Sequence, residues 1–132
     1  MIFNIGDEFK GNFIASENAY ISFTDVFKDR NPIHISEAYA MEKGFKGIVM
    51  HGNILNGFIS YFIGACLPVT NLIIHSQSIE FKNAFYLNEE LQFTAVVTGV
   101  YESVNAVEFK YHFRNSESKT VAKGNFQIGI LE

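Results

Sequence analysis

Two polar side chains in the first third of the chain have the types and the spacing needed to move protons. Asp29 and His34 lie five residues apart in the string Asp29-Arg30-Asn31-Pro32-Ile33-His34. Pro32 restricts this loop because it disfavours a helical conformation at Asn31. A carboxylate and an imidazole held so close can bind one water and transfer its protons, which is general acid–base chemistry. The same residues also fit a simpler interpretation, in which Asp29 caps a turn and His34 fills a polar corner.

The pair His51-Gly52 is the second feature with possible chemistry. The free N–H groups at the start of a helix favour negative charge, and a glycine there allows a ligand to approach the backbone. The Gly52 amide can thus stabilise an oxyanion without any side chain, although a plain entry turn explains the pair equally well. A metal site formed by Asp29, His34 and His51 is a further interpretation, but no HExxH motif and no Cys/His ligand spacing supports it.

Residues 53–67 form the element that must position these groups. The segment has the length of a helix and is apolar on nearly every face, which is typical of a helix with no solvent side. It is shorter than a membrane span, and Asn53, Asn56 and Ser60 interrupt it. Cys66 is expected to be a small buried hydrophobic residue of this helix rather than a nucleophile. The segment therefore predicts a buried core helix.

The remaining sequence predicts strands that enclose this helix. Residues 9–14 are interpreted as a strand, residues 19–27 as a helix capped by Asn18 or Ser22 with a strand as the alternative, and residues 36–44 as a short helix. Four later runs have strand character, and they cover residues 73–81, 91–101, 106–114 and 120–130. Their short connections imply an antiparallel sheet that curls. We therefore predict an α+β fold with one hot-dog domain over residues 1–132, in which a curved antiparallel sheet wraps around one long central helix.

Composition excludes several classes of function. With 132 residues, 48% of them hydrophobic, the chain fits one folded domain, and its net charge of −4 provides no basic field for nucleic acid. A single cysteine excludes an internal disulfide framework. The N-terminal residues are acidic and have no features of a signal peptide, and no segment fits a membrane span, so we expect a cytoplasmic location.

The order of these features resembles the hydratase 2 motif. This motif belongs to the MaoC-like family of (R)-specific enoyl-CoA hydratases and 3-hydroxyacyl-thioester dehydratases. The matching parts are Asp29-x-Asn31-Pro32-x-His34, the short helix that follows, and His51-Gly52 at the start of an apolar helix. Further agreement lies at Phe23, Val26 and Ala40, and in Ser76-x-x-x-Glu80-Phe81-Lys82-x-x-Phe85-x-x-Asn88-Glu89. The resemblance extends from about Phe23 to the end of the chain.

The resemblance implies a reversible addition of water across the double bond of a trans-2-enoyl thioester. Asp29 and His34 would hold the water and move its protons, with donor and acceptor left open. The Gly52 N–H would bind the thioester oxygen, with His51 and Asn31 supporting the substrate site and its loop. The family implies no metal and no redox cofactor. It also implies an acyl group carried by coenzyme A or by an acyl carrier protein, and pairing of two chains as a homodimer.

Phe27 and Lys28 depart from the family pattern, which has a small residue and a glycine before the aspartate. Two orientations are open for the Phe27 ring: it either narrows the acyl tunnel or packs against the central helix. Lys28 either has an ordinary helical conformation or carries backbone strain. Both substitutions bear on the acyl substrate more than on the fold.

Two other classes of function use the same architecture. A hot-dog thioesterase typically places a carboxylate on or near the central helix, and residues 53–67 contain no Asp or Glu. A non-catalytic acyl-binding module needs neither the acid/base pair nor the Gly52 amide, so the effect of changing Asp29 separates it from a hydratase. The surroundings of the site are mildly basic, with the side chains of Lys28, Arg30, Lys43 and Lys46. These charges suit either a phosphate or an acidic carrier protein, and they also fit an ordinary mixed-charge surface.

Overall fold

The computed structural model describes residues 1–132 and contains five strands and four α-helices. The strands are β1 (Glu8–Ile14), β2 (Leu72–Phe81), β3 (Glu90–Tyr101), β4 (Ala106–Arg114) and β5 (Thr120–Ile130). The helices are α1 (Glu17–Phe27), α2 (Pro32–Ile35), α3 (Glu37–Glu42) and α4 (Ile54–Tyr61), and a π-helical turn, Phe62–Cys66, continues α4. None of these helices combines the length and the apolar character that a membrane crossing requires.

All five strands form one antiparallel sheet in the order β1-β3-β4-β5-β2. One face of the sheet carries aromatic side chains that pack on α4. The Phe58 ring contacts that of Phe93 edge-on with centroids 5.2 Å apart, and the Phe62 ring lies 4.8 Å from the same ring. The predicted α+β architecture, a curved antiparallel sheet around a central helix, is confirmed. This packing fixes α4 against the sheet and with it the turn that precedes the helix, where His51 and Gly52 lie.

The central helix differs from the prediction in its exposure. Leu55 and Ile59 are fully buried against the sheet, but Gly57, Ser60 and Tyr61 face outward. The prediction of a helix without a solvent side is therefore wrong for the single chain, because the sheet covers only one side of the helix. Cys66, expected to be buried, is exposed for the same reason.

Strand β2 is the edge strand on the side of β5, and it has no buried face. Only Leu72 and Ile79 are half-buried, and every other residue of the strand is exposed. A bulge between Ile74 and Ser76 interrupts the register with β5. A strand at the edge of a single chain has one neighbouring strand, and here no other element covers it. Ile73, Ile74 and Phe81 consequently remain exposed.

The ends of α1 lead directly to the candidate site. Ser16, rather than Asn18 or Ser22, caps the helix, and its hydroxyl accepts a hydrogen bond from the Ala19 N–H at 3.1 Å. The helix ends at Phe27, and Lys28 takes the left-handed conformation with φ 60°. Of the two conformations considered for Lys28, the strained one is present, directly before Asp29.

Lys28→Gly is expected to stabilise the fold by about 1 kcal/mol, because glycine adopts the left-handed conformation without the clash of a Cβ atom. The change corresponds to a rise in Tm of about 2–6 °C for a domain of this size, measured by thermal denaturation. Lys43→Gly is the matched control, since Lys43 also follows a helix but has φ −83°. A lower Tm in Lys28→Gly than in the wild type would contradict the assignment of strain.

Candidate active site

His34 is presented by α2, a one-turn helix that the sequence did not predict. Pro32 occupies its first turn, and Asn31 is its N-cap with φ −52° and ψ 132°, outside the helical region as the proline predicted. The Asn31 side-chain oxygen accepts a hydrogen bond from the Ile33 N–H, and its backbone carbonyl accepts one from the His34 N–H at 2.8 Å. Asn31 therefore supports the loop, as the resemblance implied.

Hydrogen bonds outside α2 fix the orientation and the tautomer of His34. Its ring is buried, and Nδ1 lies 2.7 Å from the backbone carbonyl of Val49. A carbonyl oxygen only accepts hydrogen bonds, so Nδ1 carries the proton and Nε2 of the neutral ring has a free lone pair. The hydroxyl of Tyr20 donates to the His34 carbonyl and holds the main chain from the other side.

Asp29 faces this lone pair. Its Oδ2 lies 3.8 Å from His34 Nε2, while its Oδ1 accepts a hydrogen bond from the Asn31 N–H at 3.2 Å. The separation of 3.8 Å is too long for a direct hydrogen bond, and both atoms are acceptors when the carboxyl group is ionised. A water between them can donate one O–H to each. The sequence-predicted pair is thus brought together in an arrangement suited to activating water.

His51 lies behind the pair, in the interior of the chain. It is 1% exposed, its Nε2–H donates to the backbone carbonyl of Asp29 at 2.8 Å, and its ring stacks on the His34 ring with centroids 4.1 Å apart. The resemblance implied that His51 supports the substrate site directly. Its burial instead places it one layer further in, where it contacts Asp29 and His34.

Asp29, His34 and His51 also have ligand atoms within 4.8 Å of one another, the group considered for a metal. Each imidazole already donates one N–H to a backbone carbonyl, and the two rings are stacked at an interplanar angle of 28°. Imidazole binds a metal in the plane of its ring, so two stacked rings cannot direct their lone pairs at one ion unless one of them turns. The observed arrangement favours proton transfer.

Gly52 lies in the turn that opens α4. The hydrogen bonds of this turn run from the Ile54 N–H to the His51 carbonyl and from the Leu55 N–H to the Gly52 carbonyl, so the Gly52 N–H takes part in neither. A Cβ atom at Gly52 would lie 2.7 Å from a ring carbon of Phe81. A side chain at position 52 would therefore have to displace the exposed Phe81 ring, a close approach that the sequence did not indicate.

A groove of about 1090 Å³ runs from Asp29 between α1, the end of β1 and the exposed face of α4. Its apolar walls are formed by Phe13, Phe23, Val26, Phe27, Phe58 and Tyr61. The Phe27 ring is exposed and lies 4.9 Å from the Phe23 ring, centroid to centroid. Of its two possible orientations, the ring therefore lines the groove and does not pack in the core.

Tyr20 and Val49 are the site residues that the sequence analysis missed. Tyr20 belongs to the apolar stripe of α1, where its spacing indicated packing, and the Val49 carbonyl is a backbone group without a side-chain signal. Their partners lie 14 and 15 residues away along the chain. The one available signal was the Tyr20 hydroxyl within the apolar stripe of α1. The hydroxyl of a buried tyrosine usually has a hydrogen-bond partner, so it indicated a contact beyond packing.

Comparison with known proteins identifies a matching family and relatives named as hydratases and dehydratases. The family model described as MaoC like domain matches residues 6–121. An (R)-specific enoyl-CoA hydratase of Rhodospirillum rubrum is 34% identical over 95 residues, which are 72% of this chain and 66% of the relative. A 3-hydroxybutyryl-CoA dehydratase of Methylorubrum extorquens is 34% identical over 67 residues, 51% of this chain and 43% of the relative. The chain thus matches just under two thirds, or less, of the length of these curated relatives.

Solved structures agree over almost the whole chain. An R-hydratase from Pseudomonas aeruginosa superposes with a TM-score of 0.88 at 27% identity, covering 98% of this chain and 83% of the other. An (R)-hydratase from Aeromonas caviae superposes with a TM-score of 0.90 at 20% identity and covers 98% of both chains. The second likeness concerns the fold alone, and it confirms the hot-dog architecture.

Proposed function

The chain belongs to the MaoC-like domain family, and on this premise we propose that it catalyses the reversible hydration of trans-2-enoyl thioesters to (R)-3-hydroxyacyl thioesters. The observation that carries the proposal is the 3.8 Å separation between Asp29 Oδ2 and His34 Nε2, with the His34 proton held on Nδ1. Relatives named (R)-specific enoyl-CoA hydratase and 3-hydroxybutyryl-CoA dehydratase support the reaction class.

In the proposed reaction, a water held by Asp29 and His34 attacks C3 of the enoyl group. One member of the pair accepts a proton from the water as the new C3–O bond forms, and the π electrons move toward C2 and the thioester oxygen. The Gly52 N–H donates to this oxygen as its negative charge grows. The pair then returns a proton to C2, so that one water is added in total.

The direct test mixes the pure protein with trans-2-enoyl thioesters and follows the loss of conjugated-enoyl absorbance. Hydration removes the double bond without releasing thiol, and an (R)-specific dehydrogenase should oxidise the product. Release of free thiol with the double bond intact would identify a thioesterase instead. Absence of both signals across short, medium and long acyl chains would favour the non-catalytic acyl-binding module.

Coenzyme A is the carrier that we propose, with acyl carrier protein as the alternative. The names of the curated relatives above specify CoA thioesters. The proposed steps need no metal and no redox cofactor, so activity should survive dialysis against a chelator. Assays with matched CoA and carrier-protein thioesters of one acyl chain compare the two carriers directly. A cytoplasmic location stays a prediction of the sequence.

A homodimer is the assembly that we propose. The outer edge of β2 is unpaired and exposes Ile73 and Ile74, and the outward face of α4 exposes Tyr61. An exposed apolar edge strand has unpaired N–H and C=O groups that can bond to another strand. Two copies related by a two-fold axis can cover each other's edge. Light scattering at micromolar concentration should give twice the chain mass of 14.9 kDa. A single-chain mass would contradict the proposal.

The groove predicts that the preferred acyl group is longer or bulkier than crotonyl. Full burial of four more CH₂ groups at about 0.8 kcal/mol each would be worth about 3 kcal/mol, or about two hundredfold. Because the groove is open to solvent and buries a chain only in part, we expect a gain of at least about tenfold in kcat/KM for an enoyl chain four carbons longer. The double variant Phe27→Ser/Lys28→Gly removes the Phe27 ring from the groove wall and should change the ratio between the two substrates. Strong wild-type activity on crotonyl-CoA that is unchanged in the double variant would contradict this prediction.

A further inference from the structure

His51 contacts both members of the acid/base pair without reaching the groove. Its Nε2–H donates to the Asp29 carbonyl at 2.8 Å, and its ring stacks on that of His34 with centroids 4.1 Å apart. The Asp29 carboxylate itself accepts a local hydrogen bond, from the Asn31 N–H two residues along. His51 lies 22 residues away in the sequence and so ties the loop to the start of α4.

Packing alone does not explain a histidine at this position. The ring centroid lies 4.8 Å from that of Phe23 and 5.7 Å from that of Tyr20, so the surroundings are aromatic. Its Nδ1 is buried and has no hydrogen-bond partner, which destabilises a folded chain. A phenylalanine, although its ring is larger, would keep an aromatic face on His34 and remove the unpaired nitrogen. It could not donate an N–H to the Asp29 carbonyl.

We infer that His51 is a positioning residue for the proposed hydration, and the inference rests on that proposed function. Its N–H fixes the main chain of Asp29, and its ring fixes the plane of the His34 imidazole. These two contacts together maintain the 3.8 Å separation between Asp29 Oδ2 and His34 Nε2, which a water lying to the side of the pair can bridge. Because Gly52 follows directly in the sequence, the same side chain anchors the amide assigned to the thioester oxygen.

Two variants of His51 test its hydrogen-bond donor and its aromatic ring separately. His51→Phe keeps an aromatic ring against His34 and loses the donor, whereas His51→Gln loses the ring and keeps an N–H near the Nε2 position. A misplacement of about 1 Å lowers turnover by up to about a hundredfold, so kcat of His51→Phe should fall between about tenfold and a hundredfold. Its KM should stay within about twofold, since His51 does not contact the substrate. His51→Gln should recover several-fold of this loss.

A merely structural role predicts a different result. If His51 served stability alone, His51→Phe would lower Tm and leave kcat of the folded protein unchanged. We expect kcat to fall whatever the change in Tm, because the loss of the unpaired Nδ1 and the loss of the donor to the Asp29 carbonyl act on stability in opposite directions. His112→Phe and His112→Gln are the matched controls, since His112 lies on the outer face of β4, away from the site. Both controls should leave kcat unchanged.

Nuclear magnetic resonance supplies a readout that does not depend on activity. The carbonyl carbon signal of Asp29 and the ring nitrogen signals of His34 should shift in His51→Phe, and the Asp29 signal should return toward its wild-type position in His51→Gln. Wild-type kcat in His51→Phe, or unshifted signals of both residues, would overturn the inference. A wild-type protein that hydrates no enoyl thioester would contradict the proposed function alone, and the resonance comparison would then decide whether His51 fixes the two residues.

Discussion

Asp29→Asn is expected to lower kcat/KM for hydration of an enoyl thioester by at least about a hundredfold, the usual scale for a general acid–base group. The amide has nearly the shape of the carboxylate and can still accept the Asn31 N–H at Oδ1. It replaces Oδ2, the atom that faces His34 Nε2, with an NH₂ group that cannot accept a proton. The loop should therefore keep its conformation while the water loses one of its two acceptors.

The measurement for Asp29→Asn compares steady-state kinetics with Asp25→Asn as the matched control. Asp25 is an exposed residue of α1, four positions earlier, and its carboxylate has no partner at the site. Circular dichroism and Tm should be close to wild type in both variants, because Asp29 is itself half exposed. Near-normal turnover in Asp29→Asn would show that the carboxylate does not take part in the chemistry.

The sequence was sufficient for those parts of the fold whose signals are local. The two C-terminal strands were predicted with the bounds that the structure has, because alternating β-branched and aromatic residues end at clear turns. The conformation of one residue between Asp29 and His34 could also be predicted from its neighbour in the sequence. Pro32 disfavours a helical Asn31, and the structure places Asn31 outside the helical region as this local signal predicts.

Features that depend on long-range contacts could not be predicted. The tautomer of His34 depends on the Val49 carbonyl, and the position of Asp29 depends on His51, 22 residues away. The exposure of Cys66 and of β2 depends on where the sheet ends. The residue pattern of a single segment does not predict the position of that edge. A residue pattern reports which face of an element is apolar but not whether another element covers it.

Two locally unfavourable features lie next to the proposed acid/base pair. Lys28 stands in a left-handed conformation that favours glycine, and His51 leaves a buried nitrogen unpaired. Each feature lowers stability next to Asp29: Lys28 directly precedes it in the chain, and His51 donates to its carbonyl. Natural chains commonly retain such costs where function needs a particular geometry.

His34→Ala is expected to reduce kcat/KM by about a hundredfold or more, and the structure predicts how the loss differs from that of Asp29→Asn. The change removes Nε2 and also leaves the Val49 carbonyl and the His51 ring without their partner. A buried carbonyl without a donor costs about 1–3 kcal/mol, so Tm should fall as well. Stability therefore separates the two variants even if their rates are alike.

Chemical rescue distinguishes a catalytic imidazole from a structural one in this variant. His34→Ala leaves a ring-sized space between the His51 ring and Asp29. Free imidazole can enter it, donate to the Val49 carbonyl and present its second nitrogen to the water. Added imidazole should restore part of kcat in His34→Ala and none in Asp29→Asn, while His112→Ala on the outer sheet face keeps wild-type rates throughout. Near-normal turnover of His34→Ala without imidazole would refute the acid/base assignment.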